Sequence, residues 1–134
     1  MADTSVWARK RHDGINQWFQ RALLDDAVAI CDMVTLELLY SARNTTEFDR
    51  LHEELSALHQ CPIGPTEWRR ALEVYQALSR QGGAHQRSVK HPDLLIAAAA
   101  ESAGIPVVHY DEDFDRISGV TGQATRWVAP RGTL

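Results

Sequence analysis

Blocks of apolar residues along the chain differ in spacing, and the spacing predicts helices and short buried strands in alternation. Apolar residues recur every three or four positions over 15–23, which is typical of an amphipathic helix. The continuous apolar run AVAIC at 27–31 is instead typical of a strand buried on both faces of a parallel sheet. Further on, HPDLLIAAAAESAG at 91–104 predicts an almost wholly apolar helix, and IPVVHY at 105–110 predicts the strand that follows it.

Short polar residues and glycines mark where the predicted helices begin and end. Side-chain oxygens of Ser, Thr, Asp and Asn cap helix N-termini because they accept from free backbone N–H groups. Glycine ends helices because it adopts left-handed backbone angles without strain. The expected caps are Thr4 or Ser5, Asp32 and Thr66, the segment Asn44-Thr45-Thr46 is expected to begin a further helix, and the expected stops are Gly82-Gly83 and Gly104. CPIGP at 61–65 and residues 124–128 are expected to add short strands.

This alternation predicts an α/β fold with a central parallel sheet and helices on both faces. The 134 residues fit a single domain, 1–134, since no linker, repeat or low-complexity stretch divides them. Trp18 and Trp68 fall on helical apolar stripes and are expected in the core. The apolar face formed by Phe48, Leu51 and Leu55 suits either core packing or contact with another protein chain.

Composition narrows the class of protein further. With 44% apolar and 24% charged residues the chain is typical of a globular protein, and no window approaches the roughly 18 apolar residues of a membrane span. The start lacks the basic and apolar regions of a secretory signal, and Cys31 and Cys61 fit no zinc or disulfide spacing, so we expect a cytoplasmic protein with free thiols. The net charge of −4 argues against bulk positive attraction to nucleic acid but allows an enzyme whose acidic site holds a metal.

Acidic residues follow the predicted strands at one edge of the sheet. Asp3 would end the first strand, and Glu37 lies in the second turn of the helix after AVAIC. Asp93 lies in the first turn of the 91–104 helix, and Asp111 follows PVVHY directly, with Asp113 two residues on. Because the carboxyl ends of parallel strands share one edge, we expect these carboxylates to share one pocket.

Such a pocket requires a counter-ion. Two carboxylates about 4 Å apart repel by roughly 4 kcal/mol at an effective dielectric near 20. Asp93, near a helix N-terminus, is biased toward the ionised form, so a bound cation is favoured over protonation. Carboxylate oxygens suit hard ions such as Mg²⁺ or Mn²⁺, which bridge to phosphate and activate water for phosphodiester hydrolysis. Thr4 or Ser5 can add a hydroxyl to this site.

Four segments resemble the PIN-domain proteins of the VapC toxin family. They are DTSVW near the start, VTLELLYSAR, HPDLLIAAAAESAGIPVVHYDEDFDRI and the closing RWVAP, and together they extend over nearly the whole chain. A D-[TS]-S start alone would be a weak signal. Joined to an embedded glutamate, to P-D-x-x-I-A-A and to H-Y-D-x-D-F, it is a specific one.

The resemblance implies a three-layer α/β/α PIN-like domain with a central parallel sheet and a ribonuclease activity that depends on Mg²⁺ or Mn²⁺. Toxins of this family cleave RNA, often a tRNA or a ribosomal RNA loop. A cognate VapB antitoxin silences them by laying its C-terminal tail across the active-site groove, and the toxins usually form homodimers. The resemblance therefore implies an RNA substrate, an antitoxin partner and a second copy of the chain.

Position by position, the four acids of the family fall on Asp3, Glu37, Asp93 and Asp111, which are the implied catalytic and metal-binding residues. Asp113 is the neighbour that sometimes shares the last role as a metal ligand, and the small hydroxyl that supports the first acid corresponds to Ser5.

One departure from the family lies at the start of the chain. Members have several apolar residues before the first acid, whereas only Met1 and Ala2 precede Asp3 here. Either the given start lies downstream of the natural one, or the first strand is truncated.

Cationic residues near the strand ends are candidates for RNA contacts, because an acidic pocket lacks donors for substrate phosphate. Arg9 follows the first acid, and Arg87 and Lys90 precede the third. Each can contact the RNA backbone. For the run from Arg9 to Arg11, a solvated charge cluster is an equally open alternative.

Two other functions remain open on sequence grounds. A PIN-like domain that has lost catalysis and only binds a partner protein would have the same pattern, although no acid is missing here. A phospho-receiver signalling domain also gathers acids around Mg²⁺. It needs an aspartate pair after its first strand, however, and Asp25-Asp26 precede a strand.

Overall fold

The computed structural model describes all residues from 1 to 134. The helices are α1 (Thr4–Trp7), α2 (Asp13–Leu24), α3 (Asp32–Leu39), α4 (Thr45–Ser56), α5 (Pro65–Ser79), α6 (His91–Ser102) and α7 (Asp113–Thr121), with a short 3-10 helix at His85–Ser88. The strands are β1 (Ala29–Cys31), β2 (His59–Cys61), β3 (Val107–His109) and β4 (Thr125–Trp127). None of the helices combines the length and the apolar character that crossing a membrane requires.

All strands run parallel, and residues 1–3 join two strand pairs at the centre of the sheet. β1 pairs with β2, and β3 pairs with β4. Between these pairs the Ala2 N–H donates to the Ala29 carbonyl at 3.2 Å, and the Val108 N–H donates to the Met1 carbonyl at 2.8 Å. The resulting order is β2, β1, residues 1–3, β3, β4. The predicted central parallel sheet is confirmed, with a short middle segment.

Helices cover the sheet in two groups. α5, α6 and α7 contact one another, while α3 contacts α1 and α4 and also reaches α6 of the other group. The chain order explains the grouping, because right-handed crossovers place helices on opposite faces once the direction of strand addition reverses, here after β2. Within the first group α6 is deeply buried, with every residue from Asp93 to Ala100 inside. This burial fixes the position of the acid in its first turn.

The cap of α1 differs from the prediction. Asp3 caps the helix, because its carboxylate accepts from the Ser5 N–H at 2.9 Å. Thr4 and Ser5 lie inside the helix, and their hydroxyls are free for other contacts. The predicted start at Asn44 is confirmed, and its side chain accepts from the backbone N–H of the third helical residue at 2.9 Å.

Two further predicted caps are wrong because a neighbouring residue takes the role. Asp32 is the first residue of α3 and follows an extended Cys31, whose side chain makes no capping hydrogen bond. α5 begins at Pro65, since proline suits the first helical position, where its missing N–H has no partner to lose. Thr66 therefore lies in the first turn, and Glu67 accepts from the backbone N–H before the helix at 2.9 Å.

The strands are shorter than predicted at their entries. β1 begins at Ala29 rather than at Ala27, because the turn that follows α2 reaches as far as Ala27. Asp26 adopts a positive φ of 53°, and the Ala27 N–H still donates to the Ala22 carbonyl at 2.9 Å. Of CPIGP only the cysteine lies in β2, and of IPVVHY only Val107–His109 form β3.

Trp18 and Trp68 are 38% and 55% exposed, so the prediction that they belong to the core is wrong. The buried face of α5 consists of Ala71, Val74 and Leu78. The apolar stripe of this helix is therefore wider than the face it buries. Trp68 lies on the part of the stripe that remains exposed to solvent. The indole of Trp18 is covered on one side by the Arg126 guanidinium, 5.6 Å from the ring centroid.

The apolar face of α4 is divided between core and solvent. Leu55 is buried and Leu51 packs against the core, whereas Phe48 is 41% exposed. Core packing thus accounts for two of the three residues.

We expect a three-residue Ile-Val-Leu extension before Met1 to raise the Tm by several degrees. A groove of about 720 Å³ beside Met1 lies between the starts of β1 and β3. The Met1 amine donates to the Pro106 carbonyl at 3.0 Å, and burial lowers the pKa of this amine. The extension would lengthen the middle strand and replace a buried charge by an amide. Thermal unfolding by circular dichroism checks this, with a Gly-Ser-Gly extension as control, and equal Tm values for both would contradict it.

Candidate metal centre

Residues 1–3, the middle segment of the sheet, and α1 together position Asp3. This residue ends the middle segment of the sheet and is 3% exposed. Its Oδ2 accepts from the Ser5 N–H at 2.9 Å and from the Ser5 hydroxyl at 2.5 Å. The Ser5 Oγ in turn accepts from the Tyr110 N–H at 2.8 Å. Ser5, the predicted supporting hydroxyl, therefore ties the Asp3 carboxylate to the residue that follows β3.

The N-terminal turn of α6 positions Asp93. Pro92 lies in the first turn of the helix, and the first buried residue after it is the acid itself, which is 6% exposed. Its Oδ2 is buried and accepts no hydrogen bond. A buried carboxylate oxygen without a donor is costly unless a cation or a proton satisfies it.

The turn after β3 positions Asp111 and Asp113. The Asp113 N–H donates to Asp111 Oδ1 at 3.0 Å, which fixes the two acids relative to each other. Asp113 is 3% exposed, and its Oδ1 accepts from Arg116 at 2.8 Å. Its Oδ2 accepts from the Lys90 N–H at 3.0 Å. Asp113 is thus satisfied on both oxygens by groups of the chain, whereas Asp93 is not.

These turns bring three of the five predicted acids into one cluster. Carboxylate oxygens of Asp93, Asp111 and Asp113 all lie within 4.8 Å of one another. Asp3 lies close enough for its charge to raise the pKa of Asp93. Glu37 is placed differently: it is half-buried and accepts from the hydroxyl of Thr4, the residue next to Asp3. It therefore flanks the cluster on the side of α1.

A lysine ammonium contacts all three clustered acids. Lys90 Nζ lies 2.6 Å from Asp111 Oδ2, 3.2 Å from Asp113 Oδ2 and 3.5 Å from Asp93 Oδ2. Burial opposes protonation of this amine, but its hydrogen bond to Asp111 and the charges of the neighbouring carboxylates outweigh burial and raise the pKa of Lys90. The residue predicted to contact RNA is therefore paired with the acids in the protein alone.

The other two predicted RNA contacts lie outside the cluster. The Arg9 guanidinium packs over the Tyr110 ring, 4.5 Å from its centroid, and donates to the Ser5 carbonyl at 3.0 Å. Arg87 is exposed in the 3-10 helix that precedes α6. Whether these residues bind RNA stays a prediction.

Sequence reasoning missed Arg116. This residue makes an ion pair with Asp113 across three residues of α7, and it also reaches Glu112 at 3.4 Å. The available signal was the spacing, since an acid and a base three residues apart on a helix lie on the same face. His109 is fully buried and packs against Phe114 and Trp127, and burial lowers its pKa.

Ionising Asp93 in the folded protein costs free energy, and a bound cation would remove this cost. Burial, then a hydrogen bond shared with Asp113, then the charge of Asp3 raise the pKa of Asp93 to about 8. Burial alone would also raise the pKa of Asp113, but hydrogen bonds from Lys90 and from Asp93 lower it. One member of the pair thus holds a proton that the other lacks, as expected for carboxylates that share a site.

The donor set fits a hard divalent cation. All the ligand atoms are carboxylate oxygens, the type that Mg²⁺ and Mn²⁺ prefer over softer donors. The orphaned Asp93 Oδ2 is the atom that such an ion would satisfy. Cys31 and Cys61 lie elsewhere, paired in register on β1 and β2, and burial raises the pKa of both thiols, so they act as small core residues.

Comparison with known proteins identifies the family. The family model for the PIN domain matches residues 1–120. Over 132 residues the chain is 46% identical to Ribonuclease VapC18 of Mycobacterium tuberculosis, a match that covers 98% of this chain and 96% of that protein. Ribonuclease VapC51 of the same organism is 42% identical over 134 residues, with 100% and 96% covered. The chain therefore belongs to the PIN-domain family, within its VapC group.

Solved structures agree on the fold. DNA-bound VapBC from Salmonella typhimurium matches with a TM-score of 0.73 at 21% identity, over 96% of this chain and 97% of that chain. VapBC-5 from Mycobacterium tuberculosis matches with a TM-score of 0.60 at 26% identity, over 94% of both chains. The predicted α/β PIN-like domain is thus confirmed, and nothing supports the phospho-receiver alternative.

We expect the Asp93→Asn variant to unfold at a higher temperature than the parent in EDTA, with a gain that grows from about pH 5 to pH 8. The folded-state pKa of about 8 lies above the ordinary value of 3.8, so the folded parent holds a proton that the unfolded chain has lost. Its free energy of unfolding therefore falls as the pH rises through this window. Asparagine has no proton to lose.

Thermal unfolding in chelator at several pH values measures this gain. The matched control is Asp115→Asn, which removes an exposed charge two residues beyond the cluster and keeps an acceptor for the Trp127 indole. A lower Tm for Asp93→Asn than for the parent at pH 8 would show that the buried carboxylate is not a cost.

Proposed function

We propose that this chain is a Mg²⁺- or Mn²⁺-dependent endoribonuclease and the toxin of a toxin–antitoxin pair. The observation that carries the proposal is the buried carboxylate cluster of Asp93, Asp111 and Asp113 beside Asp3, with one oxygen left unsatisfied. It occurs in a chain 46% identical to a protein named Ribonuclease VapC18.

Asp93 and Asp111 would hold the divalent ion, with Asp3 and Glu37 on the adjoining side and Asp113 as the outer neighbour. When bound, such an ion neutralises the carboxylates, activates a water molecule and stabilises negative charge on the phosphate undergoing hydrolysis. The Ser5 hydroxyl holds the Asp3 carboxylate in place, and the Thr4 hydroxyl does the same for Glu37. α1 thereby orients two of the acids through two adjacent side chains.

Arg116 and the Lys90 backbone give Asp113 a structural role in this site. Both of its oxygens are occupied by donors of the chain, so it is held rigidly against the start of α6. This contact fixes the distance between the turn after β3 and the turn that bears Asp93. Asp111, with an oxygen facing the cluster and a half-buried side chain, is the better placed of the two to bind an ion from solvent.

RNA would reach the site through local cations rather than through net charge. Lys90 lies at the cluster itself, Arg87 is exposed on the preceding 3-10 helix, and Arg9 borders Ser5. These three residues supply the phosphate donors that the acids lack. We include a tRNA or a ribosomal RNA loop among the expected substrates, since these are the targets that the family resemblance implies.

The proposed partners follow from the relatives. Two of the solved structures with the same fold are named VapBC. The chain matches Ribonuclease VapC18 and Ribonuclease VapC51 over 96% of their length. We therefore propose a VapB-type antitoxin as the physiological inhibitor, a homodimer as the toxin assembly and the cytoplasm as the place where both act on RNA.

We expect the protein to cleave labelled tRNA or ribosomal RNA in the presence of Mg²⁺ or Mn²⁺ and to be inactive in EDTA. Asp93→Asn and Asp111→Asn are expected to lower the cleavage rate by at least about 100-fold, because several kcal/mol of charge stabilisation depend on the bound ion. Asp115→Asn, outside the cluster, serves as the control and is expected to cleave at the parent rate.

Cleavage by Asp93→Asn at the parent rate would reject the assignment of the site. Absence of cleavage by the parent, together with tight binding of an antitoxin, would favour the alternative of a catalytically silent protein-binding domain.

We expect induced expression of the protein without an antitoxin to arrest bacterial growth, and Glu37→Gln to relieve the arrest. The amide keeps the hydrogen bond from Thr4 but removes the charge beside Asp3. Glu53→Gln, on the exposed face of α4, removes an equal charge far from the site and should leave the arrest in place. Growth curves with matched protein levels check this, and arrest by Glu37→Gln at the parent level would remove Glu37 from the site.

A further inference from the structure

Lys90 reaches the acid cluster from the solvent side. Its side chain is 63% exposed, while its ammonium lies within 3.5 Å of an oxygen of each of the three clustered acids. The backbone of the same residue is held independently, because its N–H donates to Asp113 Oδ2 at 3.0 Å. The side chain can therefore leave the cluster without any change in the backbone.

The ammonium and a divalent ion compete for the same oxygens. Lys90 Nζ lies 2.6 Å from Asp111 Oδ2, the shortest of its three contacts. An ion such as Mg²⁺ binds carboxylate oxygen at about 2.0–2.1 Å and leaves no room for an ammonium on the same side. Arg116 does not compete in this way, since it binds Asp113 Oδ1 and the Ser88 carbonyl and none of the three oxygens that the ammonium contacts.

A second observation points into the same space. The Oδ2 atom of Asp93, a residue that is 6% exposed, accepts no hydrogen bond and lies 3.5 Å from the ammonium. Lys90 therefore neutralises this buried oxygen by its charge without satisfying it by a hydrogen bond. A smaller cation of higher charge would do both.

We propose that Lys90 is an exchangeable internal counter-ion, which occupies the cation position in the metal-free protein, is displaced by the divalent metal, and is then free at the rim of the site to meet a substrate phosphate. The proposal rests on the metal centre of the proposed function. It makes Lys90 a positioning residue that weakens metal binding in the free protein and keeps the acids together until the metal arrives.

The test compares Mn²⁺ binding to the parent, Lys90→Met and Lys10→Met by titration calorimetry. Methionine keeps the length of the side chain and removes its charge. Lys10 is the other lysine of the chain and lies over the Trp7 ring, 5.3 Å from its centroid, so it controls for the loss of one positive charge. We expect Lys90→Met to bind Mn²⁺ roughly fivefold more tightly, as about 1 kcal/mol of lost competition implies. Lys10→Met should stay within about twofold of the parent.

A second readout uses the parent protein and does not depend on how a variant folds. With two lysines in the chain, side-chain ammonium signals in an NMR spectrum are simple to assign. Addition of Mg²⁺ is expected to move the Lys90 signal towards that of a solvated lysine and to leave the Lys10 signal unchanged. In EDTA we also expect Lys90→Met to have a lower Tm than the parent, because the acids lose their counter-ion.

The outcomes separate this inference from the proposed function. Equal or weaker Mn²⁺ binding by Lys90→Met, or an unchanged Lys90 signal while Mg²⁺ binds, would overturn the exchange and leave the metal centre intact. Mn²⁺ binding by Lys90→Met but not by the parent would also support the exchange, because it would show that the Lys90 ammonium excludes the metal from the parent. Failure of both proteins to bind Mn²⁺ or Mg²⁺ would overturn the metal centre and the exchange together.

Discussion

Repulsion between carboxylates at the carboxyl edge of a parallel sheet is the constraint on which this site depends. The acids stand where they do because parallel strands end at the same edge and each chain segment leaves the sheet there. Asp93, Asp111 and Asp113 come within 4.8 Å of one another, and Asp3 adds its charge from the neighbouring strand. Two carboxylates at such distances repel by roughly 4 kcal/mol when partly buried. A fold that tolerates this arrangement requires a cation or a proton among these carboxylates.

The fold meets the requirement with few residues. Ser5 links Asp3 to the backbone after β3, so the two central strand ends are held together by one hydroxyl. The burial of α6 fixes Asp93, and Arg116 and the Lys90 backbone hold Asp113. In the protein alone Lys90 supplies the missing charge, but it leaves the Asp93 Oδ2 atom without a hydrogen bond. Stability of the free protein and readiness to bind a metal thus depend on the same oxygens.

The architecture of the fold and the positions of the acids at the strand ends could both be predicted from the sequence. Alternation of apolar runs and amphipathic helices predicted the parallel sheet, and the position of each acid after a strand predicted their approach. Helix starts were less predictable. Asp3 caps α1 and is also one of the acids of the proposed site, whereas the sequence pattern predicted Thr4 or Ser5 as the cap. The pairing of Lys90 with Asp111 and Asp113 was beyond sequence reasoning, because contacts across 21 and 23 residues depend on the packing of two turns.

The exposure of Trp68 shows the same limit. An apolar stripe on a helix indicates which side faces inward, but the width of the buried strip is set by the neighbouring helices. Glu37 was expected in the same pocket as the other acids. In the structure it lies outside the cluster of three and accepts a hydrogen bond from Thr4, the residue next to Asp3. The start of α3 was also displaced: the helix begins at Asp32, one residue earlier than a helix with Asp32 as its N-cap would begin.

The claim that these acids jointly hold one divalent ion is tested most directly by anomalous scattering from a crystal grown with Mn²⁺. The account predicts a peak in contact with oxygens of Asp93 and Asp111, on the side that faces Asp3. A crystal at saturating Mn²⁺ with no peak in the cluster, or with a peak bound by other residues, would contradict it.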